Sequence, residues 1–306
     1  MKLLAKYQNG NYTVRLFDDG TKIRMNNLDN LTPAFAESMD VTITEKCSGT
    51  ADSPICKYCY LNCNETKPHA DLNNPILDTV HAGTEMAINA NDMTHPGLKD
   101  FLIKMKNKGV IVNLTINQKH LYDNLDTLID WQNNDLIHGI GISLADSSDA
   151  RLIPAIKQLK NVVMHVIDGC FTAIDLDRLA DNNINLLILG YKIKGRGVEH
   201  YNKHKDEIET NIKYLSEHLL EYKNRYNGFA FDNLSTEHLD LKSKVSKDVW
   251  DSHYMGEEGA YTFFISLVNN TYATSSMETE NVFPIRENDT LDTMFAHIRK
   301  VAGHDK

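Results

Sequence analysis

The chain has 306 residues, 42% of them hydrophobic and 24% charged, which is enough to bury a full core in one large domain. No apolar run approaches the roughly 20 residues that cross a bilayer. The apolar run at the N-terminus is too short for a secretory signal. The formal net charge of −10 disfavours long nucleic acids as partners. We therefore expect a cytoplasmic protein that binds no membrane.

Residues 1–35 predict a small β-hairpin appendage. Tyr12–Phe17 is rich in β-branched and aromatic residues, and the pairs Asn9-Gly10 and Asp19-Gly20 are turn signals on either side of it. Residues 21–24 complete the hairpin.

Strands alternate with helical segments across residues 36–230. Residues 97–108, for example, carry apolar side chains at helical spacing, and Gly109 ends that helix. This alternation indicates successive βαβ units and an α/β fold, which we interpret as a partial (β/α)6 TIM-like barrel. In such a barrel the functional groups gather at the carboxyl ends of the strands. The predicted strands cover residues 40–44, 84–88, 110–117, 135–144, 161–167 and 184–190.

A C-terminal α/β element is predicted for residues 231–306. Just before it, residues 228–232 suit one more strand. Residues 260–276 suit a hairpin with Asn269-Asn270 at its turn, and residues 290–301 suit a terminal helix.

Four of the five cysteines fall within 17 positions, directly after the first strand of the βα series. Thiols this crowded bind a metal, form disulfides or carry electrons. A reducing cytosol disfavours structural disulfides, so the sequence favours metal ligands. The four are Cys47, Cys56, Cys59 and Cys63.

Spacing alone leaves a structural zinc site open. Cys56, Cys59 and Cys63 with His69 would make a four-ligand set in a non-catalytic binding protein. No cysteine follows Cys170, so the chain can hold at most one iron–sulfur cluster.

The cysteine segment resembles the radical S-adenosylmethionine (radical SAM) superfamily, whose usual motif is C-x3-C-x2-C with an aromatic residue before the last cysteine. Cys56-Lys57-Tyr58-Cys59 matches the second half, including Tyr58, while eight residues rather than three separate Cys47 from Cys56. The chain as a whole resembles members carried by phages and prophages, whose substrates are mostly unassigned.

This resemblance implies a 4Fe–4S cluster held by Cys47, Cys56 and Cys59, with one iron left open to chelate SAM. Reduction of the cluster, by a protein such as flavodoxin or ferredoxin, would cleave SAM to a 5′-deoxyadenosyl radical. The radical would abstract hydrogen from an unidentified small-molecule, nucleotide or peptide substrate. Whether Cys63 replaces Cys47 as a ligand stays open.

The resemblance also implies positions that contact SAM. Tyr58 would cover the cluster or lie near the adenine. The family often places Gly-Gly-Glu after its second strand, where exposed backbone meets the methionine moiety of SAM. In this chain that place is taken by Asn89, Ala90, Asn91 and Asp92.

Polar residues on the next two strands are further candidates. Asn113, Thr115 and Asn117 alternate with apolar residues and so share one face of a strand. They would contact SAM or substrate, or form an interior hydrogen-bond network. Ser143 matches a position where relatives contact the SAM ribose, although a capping role in the following loop fits equally well.

Later polar residues give weaker signals. His165 and Asp168 lie on and just after a strand, where they would line the cavity or serve the fold. The basic segment 191–197 would grip a phosphate or carboxylate, or form a solvated loop. No catalytic residue is predicted.

Overall fold

The computed structural model describes residues 2–28, 30–254 and 256–305, and the N-terminal part of these forms a three-stranded antiparallel sheet. Its strands are β1 (Leu3–Asn9), β2 (Tyr12–Phe17) and β3 (Lys22–Met25), in that order. Tyr12, Val14 and Leu16 are buried and alternate with partly exposed residues, the pattern of a strand with one covered face. The predicted β hairpin is confirmed within this sheet.

The larger sheet has ten strands in the described residues, and most of its pairings are parallel. β4 to β10 follow one another in sequence order and all pair in parallel; β11 also pairs in parallel with β4, and two antiparallel strands follow it. The strands are β4 (Ser38–Thr42), β5 (Glu85–Asn91), β6 (Ile111–Asn117), β7 (Gly139–Ser143), β8 (Val162–Ile167), β9 (Asn185–Leu189), β10 (Gly228–Phe231), β11 (Thr262–Ser266), β12 (Thr271–Ala273) and β13 (Phe283–Pro284).

Helices connect the strands of this sheet. Leu98, Phe101, Leu102 and Met105 form the buried face of α1, which confirms the predicted helix. In the described residues no helix combines the length and the apolarity needed to span a membrane. The helices are α1 (Leu98–Asn107), α2 (Gln118–Asn133), α3 (Leu152–Ile156), α4 (Ala173–Leu179), α5 (Arg196–Tyr222), α6 (Asn233–His238), α7 (Leu241–Lys244), α8 (Lys247–His253) and α9 (Leu291–Val301), with 3-10 turns at Pro75–Thr79 and Lys223–Arg225.

The two faces of the large sheet differ in polarity. On β6, Val112, Leu114 and Ile116 are buried in the hydrophobic core. Because side chains alternate along a strand, Asn113 and Thr115 point to the opposite face. The period-two prediction is therefore confirmed, and so is the α/β class with a large, mostly parallel sheet. The partial (β/α)6 barrel stays a prediction.

The C-terminal hairpin belongs to the same sheet as the preceding strands. Thr262 of β11 aligns with Ser38 of β4, and Ser266 aligns with Thr42. This pairing satisfies backbone groups that β4 would otherwise expose at an edge. The domain boundaries 1–35, 36–230 and 231–306 stay predictions, and residues 1 and 306 lie outside the described ranges.

Candidate functional site

A cavity of about 300 Å³ opens at the carboxyl ends of the parallel strands. Its wall includes residues of β4 to β8, the segment after β9, and the cysteine loop, by which we mean residues 43–64. Ligands of open α/β sheets bind at this edge, so the position suits a functional site.

All four clustered cysteines line the cavity: Cys47, Cys56, Cys59 and Cys63. None of them forms a disulfide; Cys47 and Cys63 are buried, and the other two are half-buried. The sulfur of Cys47 lies 4.0 Å from Nε2 of His120. The fold therefore gathers the thiols that the sequence grouped.

Two asparagines at the end of β5 hold the start of the cysteine loop. Asn89 accepts a hydrogen bond from the Ile43 N–H (2.9 Å) and donates one to the Thr44 carbonyl (2.6 Å). Asn91 donates to the Lys46 carbonyl at 2.7 Å, and its Nδ2 lies 3.6 Å from the Cys63 sulfur. The backbone of Asn91 has a φ of +51°, a left-handed conformation that asparagine tolerates well. Both side chains line the cavity and also position the loop.

Asn117 links α2 to the second cysteine. Its Oδ1 accepts a hydrogen bond from the Lys119 N–H at 3.0 Å and so caps the helix. Its Nδ2 donates to the Cys56 sulfur at 3.2 Å. One side chain therefore begins a helix and orients a candidate ligand.

Three further residues predicted to bind SAM line the cavity: Tyr58, Thr115 and Ser143. Thr115 and Ser143 lie on the inward face of neighbouring strands, where Thr115 aligns with Gly141 and Asn117 aligns with Ser143. The Tyr58 ring packs edge-on to His200 with centroids 5.6 Å apart. Together they contribute polar groups and one aromatic ring to the cavity wall.

The side chains of three other predicted residues do not reach the cavity wall. Ala90 is buried in the hydrophobic core because it faces the opposite side of β5. Asp92 accepts hydrogen bonds from the backbone and hydroxyl of Thr94 in the turn after β5. Asn113 accepts a hydrogen bond from the Gly139 N–H at 2.9 Å, one layer below the cavity. Of the two roles predicted for Asn113, the interior hydrogen bond is therefore the one that the structure shows.

The alternative zinc ligands are not assembled. Nδ1 of His69 lies 2.8 Å from the Thr44 hydroxyl, its ring packs against His95, and it does not line the cavity. Within residues 2–28, 30–254 and 256–305, no three His, Cys, Asp or Glu side chains are arranged to hold a single metal ion. A 4Fe–4S cubane does not require this arrangement, because each thiolate binds a separate iron and the sulfurs need not converge on one point.

The protonation of the thiols differs along the loop. A hydrogen bond from the Cys63 thiol, helped by nearby backbone N–H groups, lowers the pKa of Cys59 despite burial. Burial raises the pKa of Cys47 to about 12 and that of Cys56 to about 11. Binding of a metal centre would therefore release protons from Cys47 and Cys56.

The basic segment after β9 clamps the cysteine loop. The guanidinium of Arg196 donates to the carbonyls of Cys63 (2.7 Å) and Cys56 (3.3 Å), and its backbone N–H donates to the carbonyl of Cys59 at 3.1 Å. Gly195, with a φ of +58°, leaves no room for a side chain: a Cβ there would lie 2.5 Å from the Tyr60 carbonyl oxygen. The sequence predicted that this segment binds an anion or forms a solvated loop. Arg196 does neither, because its guanidinium is hydrogen-bonded to carbonyls of the cysteine loop.

His165 lines the cavity and Asp168 does not. Asp168 is buried, accepts a hydrogen bond from the Tyr191 N–H at 2.5 Å, and lies 2.9 Å from Nδ1 of His238. Of the two expectations for these residues, the structural one describes Asp168.

Asp40 of the cavity wall was not predicted, and Lys192, which was predicted only as part of the basic segment 191–197, lies there too. A signal for Asp40 exists, because Met39 and Val41 are buried on either side of it and period two then sends Asp40 inward. Lys192 lies in the loop after β9, where no periodicity reports side-chain direction.

Comparison with solved structures supports the fold. The chain is similar to SuiB of Streptococcus suis bound to S-adenosylmethionine, with a TM-score of 0.52 and 14% identity over 89% of this chain and 71% of SuiB. A second crystal structure of SuiB gives a TM-score of 0.54 and 13% identity, over 86% and 66% of the respective chains. No protein-family model and no curated protein matches the sequence. At this identity the similarity shows a shared fold.

Proposed function

We propose that this chain is a radical SAM enzyme that holds one 4Fe–4S cluster on Cys47, Cys56 and Cys59. The observation that carries the proposal is the gathering of free cysteine thiols on one cavity at the carboxyl ends of a parallel sheet. The shared fold with SuiB, which has been crystallised with S-adenosylmethionine, supports the same assignment.

The donor set fits an iron–sulfur cluster. Thiolates are the usual cluster ligands, and cluster sulfurs are commonly stabilised by hydrogen-bond donors. Such a donor is present on Cys56, through the Asn117 amide at 3.2 Å. Clamping by Arg196 would keep the loop in place while a cluster is inserted.

When bound and reduced, the cluster would supply the electron that cleaves SAM to methionine and a 5′-deoxyadenosyl radical. The protein would hold the methionine moiety against the backbone of residues 89–92. Thr115, Ser143 and Tyr58 would contact the rest of SAM from the cavity wall. The enclosing wall would keep water from a radical that abstracts hydrogen from the substrate. A small electron carrier such as flavodoxin or ferredoxin would serve as reductant.

Comparing Cys47→Ala with Cys63→Ala tests the ligand assignment. Both cysteines line the cavity and both are buried, so the two substitutions are matched in environment. After anaerobic reconstitution with iron and sulfide, we expect Cys47→Ala to lose most of its cluster, while Cys63→Ala retains nearly wild-type iron and the electron paramagnetic resonance signal of the reduced cluster. The opposite pattern would make Cys63 the ligand. Stoichiometric zinc without iron in the wild-type protein would overturn the proposal.

A further inference from the structure

Five residues of the cavity wall form what we call the inner pocket: Asp40, His165, Lys192, Tyr60 and Ser276. These residues come from β4, β8, the segment after β9, the cysteine loop and the segment after β12. None of them is needed to hold the cysteines, so the pocket is available to a ligand.

Asp40 faces this pocket without a hydrogen-bond partner among the described residues. Its neighbours in register are Ala87 on β5 and Phe264 on β11, and neither side chain offers a polar group. The Asp40 carboxyl group lies deep in the protein, but it is accessible to water because it forms part of the cavity wall. The carboxylate is therefore free to meet a ligand.

Lys192 does not neutralise Asp40 directly. Its Nζ donates to the Ser276 hydroxyl at 2.5 Å and lies 4.2 Å from the centre of the Tyr60 ring. Within the described part of the chain, the Lys192 ammonium makes no ion pair with a carboxylate. The serine and the aromatic face hold it on its own side of the pocket.

Of the charged side chains on the cavity wall, Asp40 is the one that has no hydrogen-bond partner in the described residues. Lys192 donates to Ser276, and Arg196 donates to carbonyls of the cysteine loop. Burial raises the pKa of Asp40, Lys192 lowers it and Asp232 raises it further. A bound cation would stabilise the ionised form of Asp40, since opposite charge favours an ionised carboxylate.

His165 adds a neutral hydrogen-bonding group. Its ring lies over Gly141, where a Cβ would come within 2.3 Å of the imidazole, so the glycine makes room for it. The imidazole has no hydrogen-bond partner in the described residues, and burial lowers its pKa to about 4. At neutral pH it therefore brings no positive charge and can exchange a hydrogen bond with a ligand.

We propose that the inner pocket binds the substrate through a cationic nitrogen, a primary ammonium or a guanidinium, paired with Asp40 and assisted by His165. Calling this ligand the substrate rests on the proposed function, while the binding of a cation does not. A cationic nitrogen satisfies the free carboxylate, whereas an anion would meet Asp40 as a like charge.

Fragment binding to the cluster-free protein tests this proposal. The probes are pentylamine and pentylguanidine, with 1-pentanol and pentanoate as neutral and anionic counterparts of the same length, titrated by ligand-detected NMR. We expect at least one cationic probe to bind about tenfold or more tightly than pentanol, and pentanoate to bind most weakly. Equal affinities, or a preference for pentanoate, would overturn the proposal.

Asp40→Asn locates the effect. The change removes the charge while keeping the shape, and because it relieves unpaired negative charge we expect the variant to unfold no earlier than wild type on heating. Asp126→Asn on the exposed side of α2 is the matched control. The cation preference should vanish in Asp40→Asn and persist in Asp126→Asn; a preference that survives in Asp40→Asn would contradict the assignment. Failure to make 5′-deoxyadenosine would count against the proposed function and leave the binding result standing.

Discussion

At the scale of single residues, Asn117 combines two roles. Its oxygen caps α2 and its nitrogen donates to the Cys56 sulfur. Helix capping is a property of many short polar side chains, whereas the donor to the Cys56 sulfur is the amide nitrogen of Asn117. The two roles can therefore be separated by substitution.

Asn117→Ser should lower the reduction potential of the proposed cluster and leave stability almost unchanged. Serine caps as well as asparagine but lacks the amide nitrogen that donates to the sulfur, and lost donors destabilise the reduced, more negative cluster. Each 1.4 kcal/mol of lost stabilisation corresponds to about 60 mV for a one-electron couple. Asn117→Ala should lower the potential equally and also cost about 1 kcal/mol of unfolding free energy. Redox titration of the two variants decides; unchanged potentials would contradict the role of this hydrogen bond.

His165 should make the protein less stable as the pH falls from about 6.5 to about 4. Its pKa is lowered from 6.5 to about 4 by burial, so the unfolded chain takes up a proton first, and the stability lost by pH 4 is roughly 3 kcal/mol. Below pH 4 the loss stops. His165→Gln cannot titrate, so between pH 7 and pH 5 wild type should lose about 2 kcal/mol more than the variant in urea unfolding. Identical pH profiles would show that the imidazole is not buried in a neutral form.

Residue-level prediction from the sequence succeeded where local patterns report direction. Crowding of the cysteines and alternation along β6 placed Cys56 and Thr115 on the cavity. Alternation along β4 also predicts that Asp40 points into the cavity. Asp40 was not recognised as a site residue, because the strand was identified by its apolar residues. Arg196 meets the carbonyls of Cys56 and Cys63 across more than 130 positions of sequence, and no local pattern reports such a contact.

At the scale of elements, the segment between β9 and α5 acts as a support for the cysteine loop. Gly195 approaches the carbonyls of Cys59 and Tyr60, and Arg196 follows it with three hydrogen bonds to the loop. This close approach requires a residue without a side chain, in a left-handed conformation.

Gly195→Ala should therefore destabilise the protein more than the matched change Gly20→Ala. Both glycines have positive φ, so both substitutions strain the backbone, and the ψ of −133° at Gly195 lies outside the left-handed helical region, where the strain is larger. Only at position 195 does the new Cβ meet backbone atoms; nothing lies within 4 Å of the equivalent atom at position 20. Overpacking adds about 1–3 kcal/mol, which chemical denaturation would detect as an earlier midpoint. Equal midpoints for the two variants would mean that the loops do not pack as described.

At the scale of the whole molecule, one sheet joins the cysteine loop to the C-terminal region. β11 pairs with β4, and Lys194 donates to the carbonyls of Ser276 and Glu278. The hairpin itself was predictable from its strand pattern and its Asn269-Asn270 turn. Its pairing with β4 was not, because strand order in a sheet depends on contacts between distant segments.

Because β11 pairs with β4, residues from both the early and the late part of the described chain line the cavity. Asp40 and the cysteines come from the early part, and Phe264 and Ser276 from the late part. A cavity with walls from distant segments suits chemistry that must limit access of water, which is consistent with the proposed function.

The most direct test of the central claim is the yield of 5′-deoxyadenosine. The protein would be reconstituted anaerobically with iron and sulfide, reduced with dithionite in the presence of SAM, and compared with Cys56→Ala and Cys59→Ala. We expect the wild-type protein to form 5′-deoxyadenosine and both variants to form none above background. A wild-type protein that carries the cluster yet leaves SAM intact, or variants that cleave it as well as wild type, would contradict the assignment.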